Sequence, residues 1–176
     1  MKKHDKPTKV LCPEGRISQS TEDRDGQTII NIKSYIPFYL LVLNNALSRG
    51  SSQFYFDTFG IGIVEWRVIS MLAIEPHIPA SRICHVLSLD KASTSRALKS
   101  LQGLGYLDFE TSKTDPRRRI WWLNEKGYDL HDKIIVVALK RENNLIKGVD
   151  PDDLEVLLRV LKIIKNNIEH ISDLNA

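Results

Sequence analysis

The chain has 176 residues, 42% of them apolar, and sets 25 Lys and Arg against 22 Asp and Glu for a formal net charge of +3. That length and apolar content can build one good core with an extra arm, while so small a charge does not announce a nucleic-acid binder. No apolar run approaches the ~18 residues of a membrane helix. Two cysteines, Cys12 and Cys84, make no disulfide framework, and Met1-Lys2-Lys3-His4-Asp5 lacks the apolar stretch of a secretory signal; the expected setting is a reducing cytoplasm with no membrane partner.

Residues 1–31 are polar and rich in turn formers (Pro7, Pro13, Gly15, Gly26) without a sustained period, which predicts a flexible or loosely docked arm. Its last part, Thr28 to Ile32, has the composition to pack on a partner or to start a helix. From Ser34 to about Phe56 the pattern is helical. Ile36, Leu40, Leu43 and Leu47 form one apolar stripe, and Tyr35, Phe38, Tyr39, Val42 and Ala46 form a second beside it. A surface helix needs only one, so the second is expected to face another subunit. Gly60-Ile61-Gly62 interrupts the period, and Ile63 to Ala73 form a second helix that Glu75-Pro76 ends. A third follows Pro79, with Ala80, Ile83, Val86 and Leu87 on its apolar face.

Asp90 is placed to cap a fourth helix, Lys91-Ala92-Ser93-Thr94-Ser95-Arg96-Ala97-Leu98-Lys99. Ala92, Leu98 and Leu101, with Thr94 as a further candidate, are expected inside; Gly103 and Gly105 permit the left-handed turn that stops it. Leu107 and Phe109 then alternate with polar neighbours, as Trp121 and Leu123 do in a return strand. Between them the loop Lys113–Arg119 carries four cations and one carboxylate. Asn124-Glu125 opens a fifth helix, carrying Leu130, Ile134, Val137 and Leu145, which Gly148 stops. Asp150-Pro151-Asp152-Asp153 starts a sixth, with Leu154, Leu157, Leu158, Leu161, Ile164, Ile168 and Ile171 in a near-heptad stripe.

The order of slim helix, glycine stop, strand, cationic tip and strand is what a winged helix-turn-helix needs. Ser and Thr are mediocre helix formers, but short hydroxyl side chains let a helix approach a groove closely and bond phosphates or base edges. The candidate DNA contacts are Ser81 on the third helix, Lys91, Ser93, Thr94, Ser95, Arg96 and Lys99 on the fourth, and Lys113, Arg117, Arg118 and Arg119 on the wing. Arg117 is assigned to the minor groove and the other wing cations to phosphates, with Asp115 as the carboxylate that braces a guanidinium. Trp121 and Trp122 are assigned to anchoring the hairpin. The plain alternatives are an ordinary amphipathic helix and a solvated Arg-rich loop.

At these residues the chain resembles the MarR family of regulators. Gly60 to Val68 is similar to the start of the family's second helix, and Leu89 to Leu98 to its recognition helix. Asp115-Pro116-Arg117 is similar to its Asp-x-Arg wing motif and Leu123 to Gly127 to the wing exit, with Asn124 where threonine is usual. The resemblance, from about Ser34 to Ile171, implies a mainly α fold with a small β wing, in which residues 32–58 and 125–176 form a dimerisation domain and 59–124 the winged helix-turn-helix. It implies a homodimeric transcriptional regulator, usually a repressor, on a palindromic double-stranded operator, with half-sites about one helical turn apart and with release by a small ligand or oxidation. No catalytic residue, cofactor or metal is expected. An aromatic carboxylate or its thioester would suit Tyr35, Phe38, Tyr39, Asn44, Arg49, Trp66 and Arg67, since Arg holds a carboxylate bidentately; core aromatics and a structural Arg67 are the alternative. Also open are redox sensing through Cys84 or Cys12, metal binding by Glu75, His77, Cys84 and His85, a winged-helix protein-interaction module, and an enzyme built on Cys84 and His85, whose side chains diverge on a helix.

Overall fold

The computed structural model describes residues 15–111 and 118–171. A hairpin, β1 (Thr21–Arg24) and β2 (Gln27–Ile30), comes first. The helices α1 (Ile36–Phe59), α2 (Ile63–Ile74), α3 (Ala80–Leu87) and α4 (Lys91–Gly103) follow, with the two-residue strand β3 (Ile78–Pro79) before α3. Strands β4 (Leu107–Thr111) and β5 (Arg119–Leu123) lead to α5 (Glu125–Leu145) and α6 (Pro151–Ile171).

From residue 15 on, the arm carries a hairpin that its composition does not announce. Asp25 and Gly26 take φ of 55° and 80°, the pair of positive angles that turns a two-residue hairpin with the twist of its strands. The Asp23 carboxylate accepts the Gly26 N–H at 3.1 Å. Arg16 fastens the hairpin's root by donating to the Ser20 hydroxyl at 2.8 Å and to the Ser34 carbonyl.

The helix limits follow from local chemistry. Gly60 ends α1 at φ 71°, and Gly62 begins α2 from extended backbone. The Asp90 carboxylate accepts the Ser93 N–H at 2.8 Å, and Asn124 accepts the Gly127 N–H at 3.1 Å. Asp150 accepts the Asp152 N–H at 2.9 Å. Each satisfies a donor that the helix start would otherwise leave open.

One core joins α2, α3, α4, the sheet and the first half of α5. Val68, Ile69 and Leu72 meet Ile83, Leu98, Leu101, Trp121, Leu123 and Ile134, each fully buried large side chain contributing about 1.5–3 kcal/mol. The sheet is antiparallel in the order β3-β5-β4, with Ile78 opposite Trp121 and Phe109 opposite Trp121 on its other side. The strand β3 was not foreseen. Of α1, only Ser51 and Tyr55 are buried; its first half exposes Ile36, Leu40, Leu41, Leu43 and Leu47. Along α6 no residue from Pro151 to Ile168 is buried, and Leu157, Leu158, Leu161 and Ile168 stand open. No helix of the described residues is long and apolar enough to cross a membrane.

Candidate nucleic-acid interface

The helix α4 divides along its length. Thr94, Ala97, Leu98 and Leu101 are buried, while Lys91, Ala92, Ser95, Arg96 and Lys99 lie on the exposed arc, with Ser93 half-buried at its border. Two expectations are corrected. Thr94 is 0% exposed, and the Cys84 thiol donates to its hydroxyl at 3.2 Å; it ties α4 to α3 and has no route to DNA. Ala92 is outside and Ala97 takes its place within, because the 3.6-residue period puts 94, 97, 98 and 101 on one arc. A methyl group at the centre of the exposed arc is a surface the sequence reading missed: it keeps the helix slim and can meet a thymine methyl.

Ser95 and Lys99 share one cleft of about 570 Å³ with Ser81 at the start of α3 and Arg118 and Arg119 at the base of the wing. The structure therefore brings five of the expected contacts together from three elements. Arg96 sits around the helix from that cleft, its guanidinium donating to the Ser93 hydroxyl at 2.9 Å. The Asp90 carboxyl is held below the usual carboxylate range, first by the Ser93 N–H and then by the Ser93 hydroxyl, so the cap is ionised at neutral pH.

At the wing base the guanidinium of Arg119 lies over the Phe109 ring, 4.2 Å from its centre, and 5.8 Å from that of Trp121. Arg119 was expected on phosphates; this cation–π contact spends one face of it on bracing the hairpin. Trp121 is buried and Trp122 packs on His77 at 4.6 Å, so both tryptophans anchor the sheet. Lys113, Asp115 and Arg117, and with them the tip, lie outside the described residues.

The candidate effector residues separate. Trp66 stacks on Tyr55 of α1 at 6.2 Å and meets His131 of α5 at 5.8 Å. Arg67 donates to the Ser48 hydroxyl at 3.5 Å, next in the chain to Arg49. Phe38 and Tyr39 belong instead to the far end of α1: sixteen residues at 1.5 Å per residue put Tyr39 about 24 Å from Tyr55 along the axis. One chain thus builds no common wall from them. His131, which the sequence did not single out, and Arg141, which donates to Ser51 at 2.9 Å and lies 6.0 Å from the Tyr55 ring, complete the junction of α1, α2 and α5. Burial pushes the Tyr55 hydroxyl above its ordinary value, with Arg141 opposing. The four candidate metal ligands do not converge: Glu75 is held by Arg82 at 3.0 Å and His77 by Trp122, and no group of three metal-binding side chains occurs among the described residues.

A profile of the MarR family matches residues 59–118, the segment from the end of α1 through the recognition helix to the wing. A MarR/EmrR family transcriptional regulator from Acinetobacter sp. ADP1 is 31% identical, superimposes with a TM-score of 0.74, and is matched over 80% of this chain and 99% of its own. FabT of Streptococcus pneumoniae, solved in complex with DNA, is 19% identical over 79% of this chain and 99% of its own, with a TM-score of 0.63. PcaV of Streptomyces coelicolor, a transcriptional regulator solved with its natural ligand, is 16% identical over 78% and 96%, at 0.67; at these identities the last two show the fold alone. A cytidylate kinase from Streptomyces avermitilis is 34% identical over 61 residues, 35% of this chain, which spans only 25% of that protein. The present sequence has no G-x-x-x-x-G-K-[ST] phosphate loop. With the helix order, the wing and a similarity over 80% of the chain agreeing, the chain belongs to the MarR family of winged-helix, DNA-binding transcriptional regulators.

Proposed function

We propose that this regulator is a homodimeric repressor that sets two copies of α4 into successive major grooves of a palindromic operator and leaves when a small molecule binds. The observation that carries the DNA half is the shared cleft: Ser95 and Lys99 of α4 face Arg118 of the wing base across it, so helix and wing present cations to one duplex. Lys91, Ser93, Ser95, Arg96 and Lys99 are assigned to the groove, and Ser81, Arg118 and Arg119, with Lys113 and Arg117 of the tip, to the backbone and minor groove. The dimer is supported by the open apolar sides of α1 and α6, which an isologous interface would cover together. Residues 32–58 and 125–176 then form the dimerisation unit and 59–124 the reading unit.

The effector site is assigned to the junction of Tyr55, Trp66, Arg67 and His131, which lies where the dimerisation helices meet the winged domain. An aromatic acid or its thioester would stack on Tyr55 and Trp66, with Arg67, which reaches Ser48, and Arg49 as the candidate partners of its carboxylate. A ligand there releases DNA only by binding better to a wing spacing that misfits the grooves. Selection of duplexes from a random pool by the purified protein, followed by footprinting, tests the first half. An inverted repeat with half-sites about 10 base pairs apart is expected; no enrichment at low salt refutes it. Quenching of tryptophan fluorescence by aromatic acids, lost in Trp66→Leu, tests the second.

A further inference from the structure

The hairpin β1–β2 has no core of its own, and in one chain it packs broadly on no other element. An isolated two-stranded hairpin is marginal in water. Its two faces differ. Ile29 is half-buried on the face it shares with Glu22, Arg24 and Gln27, whereas Ile30 is 53% exposed on the opposite face with Asp23 and Thr28. That open face is apolar at the root and carries Asp23 toward the tip, and the hairpin as a whole is acidic, Glu22, Asp23 and Asp25 standing against Arg24 alone. The acidity argues against a duplex as its occupant, since phosphates would repel it.

A complementary surface exists on α6. Leu158, Lys162 and Lys165 fall at i, i+4 and i+7 on one face, beside the exposed Leu161 and Ile168. A groove of about 430 Å³ runs there, lined by Val156, Leu158, Arg159 and Lys162 with Glu155. Position supplies the link. Six residue steps separate Ile30 from Ile36, a reach of about 21 Å at most, so whatever covers the first turns of α1 lies within range of the hairpin.

We propose that the β1–β2 hairpin is a clasp that docks on α6 of a second copy of this chain, Ile30 against Leu158 and Asp23 toward Arg159 and Lys162. The proposal rests on the homodimer reading and adds a partner surface to it. The clasp extends the helical interface, so each protomer grips the other by a segment outside the winged domain.

The test measures the dimer dissociation constant of the full chain by sedimentation and dilution, with a thermal melt to verify folding. Asp23→Lys and, separately, Ile30→Asp are expected to weaken the dimer roughly ten-fold, the scale of an exposed charge pair reversed or one isoleucine left uncovered. Glu22→Lys makes the same charge change on the opposite face and is expected to stay within about two-fold. Combining Asp23→Lys with Lys162→Glu should recover most of the loss, which repairs a contact with α6 and does not repair a damaged turn. A wild-type dimer that Leu157→Asp disrupts but that ignores all hairpin substitutions overturns the clasp alone. Weakening without rescue overturns α6 as its seat. A wild-type chain that is monomeric throughout removes the dimer and the clasp together.

Discussion

Replacing Gly127 by alanine should destabilise the protein, against the usual gain of about 1 kcal/mol for that change within a helix. Gly127 is buried in the first turn of α5 where the helix crosses the turn between α4 and β4. A Cβ there would stand 2.3 Å from the Tyr106 carbonyl oxygen and 3.2 Å from Leu123 Cβ. The first neighbour is backbone, and it already accepts the Asn124 N–H at 3.2 Å, so relief requires the helix start to move. That movement also loosens Asn124, which caps α5 and donates to the Gly105 carbonyl at 3.1 Å. Overpacking of about 1–3 kcal/mol and a weakened cap of about 1 kcal/mol, less the propensity gain, leave a net loss of roughly 1–3 kcal/mol. For a chain of this size that lowers Tm by about 2–4 °C per kcal/mol. Thermal and urea unfolding followed by circular dichroism, at one protein concentration, measures it. Gly103→Ala is the control: that glycine lies in α4 with nothing within 4 Å of its added Cβ, and should gain up to about 1 kcal/mol. Equal effects at the two sites, or a neutral Gly127→Ala, would refute the close-approach account.

Thr94→Val should leave operator affinity within about two-fold while costing up to about 1 kcal/mol of stability through the lost Cys84 contact; Ser95→Ala and Lys99→Ala should do the reverse, and gel shifts beside melts separate the two patterns. Arg118→Ala should weaken binding on all sequences alike and lower the salt slope by about one, whereas Arg96→Ala should cost about 1–3 kcal/mol and relax choice at one base position; titrations at several salt concentrations against single-base operator variants distinguish them. Asp90→Ala should destabilise α4 at neutral pH. Because the folded-state pKa of Asp90 is lowered, its contribution is present above the unfolded carboxylate value and is lost as pH falls through the folded one. The stability gap between wild type and Asp90→Ala should therefore close on acidification, and a gap that widens toward acid would contradict the cap assignment.

Much of the DNA-reading unit was legible because its signals are local. Asp90, Asn124 and Asp150 announced their helices by cap chemistry, and alternating Leu107, Phe109, Trp121 and Leu123 announced two strands. The misses have physical reasons. Thr94 is a candidate both for the inside and for DNA by its type and position, and only its burial, where the Cys84 thiol satisfies its hydroxyl, decides for the inside. The strand β3 has two residues, too few to show a period, and its pairing with β5 is a tertiary contact. Asp25-Gly26 is a strong turn signal, yet the flanking Thr21–Arg24 has no apolar alternation to accompany it. The effector candidates shared composition along one helix, and only the rise of that helix reveals how far apart they stand. His131 became visible once α5 was laid against Trp66.

The helix α1 runs unbroken for 24 residues, about 36 Å, and its two ends belong to different neighbourhoods. Tyr55 near one end is clamped into the winged domain, while Ile36 at the other lies on the open apolar face. Such a strut turns small tilts into large sweeps: about 5° at the clamped end carries the free end through roughly 3 Å over that length. Angstrom-scale repacking around Trp66 would thereby be geared up into a several-angstrom swing of the open apolar face, without melting any element.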